Sequence, residues 1–277
     1  MLARRKIFWA LFGLSLMIFA FFFYGQYLQN WIGTQLGEQE IRVGIASGTK
    51  LQPAEIFKLL KTALHLDGSG HLFRNFIWFE GHVVMIVLAL AGSVLIGNDF
   101  HHGSLPYYLS KPLNRWHYMA GKWLAIAAFI HMMTTVPAVG LYIEYGLLDT
   151  WTYYYEQARL LLGVLAYGTL LSVVLGLLVM TTAIMLRRTV PVVMSWSAIF
   201  VLLRLVSEMT VRFHPRWRLL DLWNNLYLVG NWCLNMPHDS ITPRNQPAYW
   251  EAGAVLAIIC VACLVYLGRR IQAVEIV

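Results

Sequence analysis

Apolar residues gather along the chain into six long runs, at about 7–28, 76–97, 123–147, 160–186, 191–211 and 252–268. A helix needs about 20 mostly apolar residues to cross roughly 30 Å of hydrocarbon, so each run predicts a membrane-spanning helix, the sixth near the lower limit. The first run follows Arg4, Arg5 and Lys6 and ends in Phe21, Phe22, Phe23 and Tyr24, with no small-residue cleavage site. It reads as a retained span rather than a removable leader. Between the first two runs, 53–66 sets Ile56, Leu59, Leu60, Ala63 and Leu64 on one helical face. Glu55, Lys58, Lys61, Thr62 and His65 take the other, which predicts an outer amphipathic helix lying at the interface or over the bundle. The segment 212–250 is punctuated by Pro215, Pro237, Pro243 and Pro247, and we expect it to dip partly into the membrane as a re-entrant element.

Composition agrees with this pattern. Of 277 residues, 58% are hydrophobic and 13% charged, about half the charge a soluble domain carries. The expected fold is all-α, one polytopic transmembrane domain over 1–277. The formal net charge of +7 would suit a polynucleotide-binding surface if its distribution were uniform. It is not. Arg4, Arg5, Lys6, Lys111, Arg115, Lys122, Arg187, Arg188, Arg269 and Arg270 lie in four short pieces, with only Asp99 and Glu275 as acids among them. That asymmetry predicts both termini inside, and assigns the basic excess to membrane orientation in a lipid bilayer rather than to nucleic acid. Trp78, Trp123, Trp151, Tyr153, Tyr154 and Trp250 fall near the expected span ends, as an aromatic belt would place them.

The inner loop between the second and third spans has more organisation than a turn requires. Gly103 permits a break, Ser104 is a good N-cap, and Pro106 suits a first helical turn. A short helix over 105–110 would present Leu105 and Leu109 on one side, with Tyr108 beside them, and Pro112 would stop it. Arg115 and Lys122 flank the climb into the third span. On pattern alone this element suits an anchor in the headgroup layer as well as a docking lever for a cytoplasmic partner.

The loop resembles that of the ABC-2 type export permeases. Between their second and third spans these proteins carry an acidic residue, Gly-Ser/Thr, a Leu-rich turn, Leu-Ser-x-Pro, a basic residue and Gly-Lys. Here the matching positions are Asp99, Gly103, Ser104, Leu105, Leu109, Ser110, Pro112, Arg115, Gly121 and Lys122. The family position of Asp99 more often holds Glu, and His101 and His102 replace a commonly charged pair. The resemblance implies a coupling helix over 104–112 that sits in a groove of a separate ABC ATPase subunit. It also implies a second permease copy, either identical or a sister chain, and a place in the cell membrane.

No G-x-x-x-x-G-K-[ST] phosphate cradle occurs: Trp123 follows Gly121 and Lys122, and no glycine stands five positions before Gly121. No cofactor is therefore expected on this chain. If transport is ATP-driven, ATP and Mg²⁺ belong to the partner subunit. No catalytic residue is expected either, since H-E-x-x-H and G-x-S-x-G are absent.

Several intramembrane polar residues stand out. Arg204 and Glu208, at i,i+4 toward the outer end of the fifth span, are expected to pair and reach outward. His131 is expected to hydrogen-bond between helices. His82 is placed near the outer end of its span, too far in depth from His131 for a shared haem. Cys260 and Cys263 read as buried small hydrophobes rather than a metal or redox pair, and no metal site is expected at His65, His71, Met236 and His238. Gly163, Ala166, Gly168, Ser172 and Gly176 permit close helix packing, within the bundle or at a dimer seam. The alternative to a permease is a non-transporting scaffold or sensor driven by an ATPase partner. A haem or metal membrane enzyme is a more distant third.

Overall fold

The computed structural model describes residues 6–38, 66–92, 115–186, 188–238 and 246–272, and every regular element among them is helical. In chain order these are α1 (Lys6–Glu38), α2 (Gly70–Gly92), α3 (Arg115–Met133), α4 (Thr135–Leu148), α5 (Thr152–Glu156) and α6 (Ala158–Leu186). Then follow α7 (Thr189–Ser197), a π-helical turn (Ala198–Leu202), α8 (Leu203–Thr210), a 3-10 helix (Pro215–Leu220), α9 (Leu222–Cys233) and α10 (Tyr249–Gln272). Among the described residues, six stretches are long and apolar enough to cross a membrane: Trp9–Trp31, Gly70–Leu90, Trp116–Leu148, Ala158–Leu186, Val190–Thr210 and Tyr249–Arg270. The amphipathic stretch expected over 53–66 and the short helix over 105–110 lie outside the described residues.

Three span boundaries differ from the hydropathy reading, each for a local reason. The second span begins at Gly70, six residues before the apolar run. Asp67 Oδ1 accepts hydrogen bonds from the Ser69 hydroxyl (2.6 Å) and the Ser69 N–H (3.3 Å), and the Leu72 N–H donates to the Ser69 carbonyl. That turn launches the helix upstream of the polar pair Arg74 and Asn75, which dilutes the hydropathy but leaves the backbone helical. The third span begins near Arg115 rather than Trp123, because nothing between Arg115 and Met133 breaks the helix. Lys122 therefore lies two turns into the helix that Arg115 opens. Lys122 Nζ lies 5.7 Å from the Tyr118 ring centroid, one turn back. The sixth helix is longer than its apolar core, 24 residues in all.

Inside the third span the helix breaks at Thr134. Pro137 has no N–H to give the Met133 carbonyl, while the Ile130 carbonyl accepts both the Thr134 N–H (2.9 Å) and the Thr134 hydroxyl (2.8 Å). Trp78 and Trp123 each lie eight residues into a helix rather than at its start. Trp151 and Trp250 do stand exposed at helix starts.

The α6 helix forms the centre, packed on α2, α3, α4, α7, α9 and α10. Its small residues are spent on three different neighbours within the chain. A methyl on Gly163 would meet the Cys233 carbonyl, one on Gly168 the Thr135 side chain, and one on Gly176 the Trp123 indole. Thr182 Oγ1 accepts the Trp196 Nε1–H at 3.1 Å, tying α6 to α7. The α1 helix packs on α2 and α4 and turns Trp9, Met17, Phe21 and Tyr24 outward, as a lipid-facing helix would.

The segment expected to be re-entrant is a 3-10 turn followed by α9, whose 12 residues span about 18 Å and so cannot cross. This helix is wedged between α2, α6 and α10. Asp221 caps its start, accepting from the Trp223 N–H (3.0 Å) and the Asn224 N–H (3.2 Å).

Where the chain enters α2, Gly68 has φ +64°. Its carbonyl accepts the Tyr153 hydroxyl at 2.7 Å, and its α-carbon faces the Tyr145 ring. Gly68→Ala adds a left-handed backbone penalty of about 1–2 kcal/mol and a clash with that ring. We expect a lower unfolding temperature for the detergent-solubilised protein, measured by intrinsic fluorescence.

Candidate functional site

A slot runs between α2 and the fifth span, floored by α9. The two walls run antiparallel. On α2 the slot-facing positions are Arg74, Trp78, His82, Met85 and Ala89, spaced at three or four residues as one helix face requires. Opposite them stand Glu208, Arg204, Val201, Phe200 and Ser197. From Arg74 to Ala89 the wall is about 22 Å long, at 1.5 Å per residue.

The slot has two chambers that meet at Arg204 and Glu208. The polar one, about 390 Å³, lies at the Gly70 end of α2 and is lined by Arg74, Asn75, Arg218, Asp221, Asn224 and Tyr227 among others. The apolar one, about 530 Å³, continues along Met85, Ile86, Ala89, Trp196, Phe200 and Leu205. Trp78, His82 and Trp223 form the wall between them: the His82 ring lies 4.7 Å from Trp78 and 4.8 Å from Trp223, edge-on to both. His82 Nδ1 donates to the Trp78 carbonyl at 2.6 Å.

A π turn at Ala198–Leu202 lies within this wall, Phe200 and Val201 on it facing the apolar chamber, while Arg204 and Glu208 beyond it stand where the two chambers meet. Such turns recur at functional positions in helices.

Arg204 Nε and Glu208 Oε1 lie 3.2 Å apart, and the Arg204 guanidinium sits 6.0 Å from the Trp78 ring centroid. Asp221 spends one oxygen on the α9 cap. Burial raises its carboxyl above the ordinary aspartate range, opposed by the Asn224 N–H, the nearby Arg204 charge and the Trp223 N–H. A carboxyl that holds its proton more firmly folded than unfolded contributes most stability below the unfolded value. That contribution declines as pH rises from there through the raised folded value. Asp221→Asn keeps the cap and should flatten the decline, whereas Asp221→Ala should cost about 1 kcal/mol. Unfolding midpoints measured against pH distinguish the two.

The other sequence-nominated residues are placed as follows. Asp99, Gly103, Ser104, Leu105, Tyr108, Leu109 and Pro112 lie outside the described residues, and Arg115 opens α3. His131 Nδ1 lies 2.8 Å from the Thr135 hydroxyl, four residues on in its own span, so its partner is not a neighbouring span. His82 is 12 residues into α2, deeper than hydropathy had put it, because the helix begins earlier. Cys260 and Cys263 are free thiols on α10, Cys263 buried. Among the described residues no group of three His, Cys, Asp or Glu is placed to hold a metal.

Sequence reasoning missed Arg74, Arg218 and Trp223, and also Glu80. The Glu80 side chain is buried between α1 and α2, where the Ser15 hydroxyl donates to its Oε1 at 3.2 Å. The signal was there: an ionisable residue inside an apolar run marks a candidate site in its own right.

A family model described as ABC-2 family transporter protein matches residues 1–268. The chain belongs to the ABC-2 transporter family. No individual curated protein matches it. As an ABC-2 permease it is a multi-pass membrane protein and a transport component of an ABC-type system, and the slot is a feature of its bundle with room for a solute.

Proposed function

We propose that this ABC-2 permease is the membrane-spanning subunit of an ATP-driven exporter in the cell membrane, with both termini inside. It works with a cytoplasmic ABC ATPase that carries ATP and Mg²⁺, and with a second permease copy. The reading is carried by family membership over 1–268 in a chain whose sequence has no phosphate-binding loop of its own.

In this reading the lever over 104–112 docks in the ATPase. Leu105, Leu109 and Tyr108 fill its groove, Asp99 and Arg115 hold it through polar contacts, Gly103 and Pro112 set its ends, and Lys122 follows on the climb into the third span. The lever joins α2 to α3, so ATPase closure pushes directly on α2. One face of α2 lines the slot, and the opposite wall contains the π turn. Displacing α2 against the fifth span would change the width of the slot, a shear motion that packed helices support. With N-in orientation the polar chamber opens outward.

Co-purification with the ATPase subunit, ATP turnover in proteoliposomes and directional movement of solute together test this. ATP turnover without any movement of solute would favour a scaffold or sensor instead.

A further inference from the structure

The polar chamber contains more positive charge than its own carboxylates neutralise. Arg204 is taken by Glu208, and Asp221 by the α9 N-terminus. Arg74 and Arg218 have no carboxylate within salt-bridge distance among the described residues. Arg74 is 8% exposed, yet its Nη1 has no hydrogen-bond partner there, and neither has the buried Nε of Arg218. The Arg74 Nε–H donates to Asn75 Oδ1 at 3.2 Å, and its guanidinium lies 6.0 Å from the Tyr227 ring centroid, which orients the fork without neutralising it. A buried guanidinium with unmet donors is costly, and a planar fork of donors matches a phosphate or carboxylate oxygen pair.

The second chamber decides between a small anion and something larger. It meets the polar chamber at Arg204 and Glu208 and continues for about 530 Å³ among mostly apolar side chains. Its rim residues Ile86, Val201 and Leu205 are each half or more exposed, so the chamber opens sideways, where the bilayer lies. A free phosphate would use none of that volume. A neutral apolar solute would leave the arginines unmet.

We propose that the slot binds a phosphate-bearing lipid taken from the bilayer, its headgroup between Arg74 and Arg218 and one chain along Met85, Ala89, Phe200 and Trp196. This rests on the export reading insofar as it names that path's substrate class; the binding itself does not require the ATPase. The α9 floor, through Asn224 and Tyr227, completes the headgroup chamber. Trp196 and Trp223 stand within the chain chamber and report on its occupant.

The test uses the full-length permease alone, in phosphatidylcholine nanodiscs doped with phosphatidic acid whose acyl chains are brominated to quench tryptophan. Saturable quenching is expected at lower doping than with brominated phosphatidylcholine. Arg74→Gln and Arg218→Gln should each raise the half-saturating dose about tenfold, as loss of a charge-assisted hydrogen bond predicts. Arg218 is only half-buried, so its variant keeps the test decisive if Arg74→Gln fails to fold. Val201→Phe, at the exposed rim, should narrow the chain chamber without adding a tryptophan and weaken quenching with both arginines intact.

Equal quenching by the two lipids, or no change in either arginine variant, overturns the proposal. Relief of quenching by millimolar inorganic phosphate as effective as that by unbrominated phosphatidic acid overturns it too, since the chain would then add nothing. Failure on any of these leaves the export reading standing. A permease that binds the lipid normally but neither co-purifies with nor stimulates an ATPase fails the export reading alone.

Discussion

Leu109→Asp combined with Arg115→Glu is expected to leave the permease folded in the membrane while stimulated ATP turnover falls to the level of the ATPase subunit alone. Docking of a short helix depends on a few anchors. Burying one leucine contributes about 1.5–3 kcal/mol, and a carboxylate at its place must be desolvated in the partner's groove as well. Reversing Arg115 replaces a charge-assisted contact worth about 1.5–3 kcal/mol with a repulsion. Together these changes shift the docked fraction by several powers of ten, since about 1.4 kcal/mol corresponds to tenfold. Both substitutions fall in or beside the loop between the second and third apolar runs, outside either run. Size-exclusion profiles should therefore match the parent, and the loss should appear only in turnover and co-purification. Full stimulation in the double variant would remove the lever from the mechanism.

How far the sequence foretells this molecule depends on the scale of the feature. Six apolar runs predict six spanning helices because bilayer thickness sets a length that hydropathy measures directly. Helix starts follow other rules. The α2 start is set by the Asp67–Ser69 hydrogen bonds and the left-handed Gly68, and the polar pair Arg74 and Asn75 then hides that first turn from a hydropathy window. This shift of six residues places His82 twelve residues and Trp78 eight residues into the helix. The π turn leaves no trace in composition, since Ala198, Ile199, Phe200, Val201 and Leu202 would serve equally in an α-helix. The slot was illegible for a related reason. Its charged residues come from α2, α8 and the 3-10 helix, over 140 positions of chain, and only tertiary packing brings Arg74 and Arg218 to one chamber. The Arg204–Glu208 pair, by contrast, is local at i,i+4, and the helix period alone places the two side chains together. The small residues of α6 illustrate the middle case. Their spacing foretells close packing, but each of Gly163, Gly168 and Gly176 admits a different intrachain neighbour. None of the three is left to a dimer seam.

Gly163→Ala is expected to lower the unfolding temperature clearly, and Gly163→Leu to prevent folding. In an unobstructed helix the exchange of Gly for Ala gains up to about 1 kcal/mol, so the sign depends on what the new methyl meets. Here it meets main chain: the Cys233 carbonyl oxygen at 2.5 Å, its carbon at 3.1 Å and Leu234 Cα at 3.2 Å. That carbonyl has little freedom to retreat. Past the end of α9 the Asn235 N–H donates to the Trp232 carbonyl and the Met236 N–H to the Asn231 carbonyl. Asn235 itself takes φ +56°, so the chain is locked in a Schellman stop. Relief must therefore come from moving α9 or α6 as a body, and overpacking of this kind costs about 1–3 kcal/mol. The displacement has a functional readout as well, because α9 carries Trp223, Asn224 and Tyr227 on the floor of the slot. Gly13→Ala, where the added methyl has nothing within 4 Å, is the matched control and should be neutral or stabilising. A Gly163→Ala protein that melts no lower than the Gly13→Ala protein would show that the α6–α9 contact is not the tight backbone approach described above.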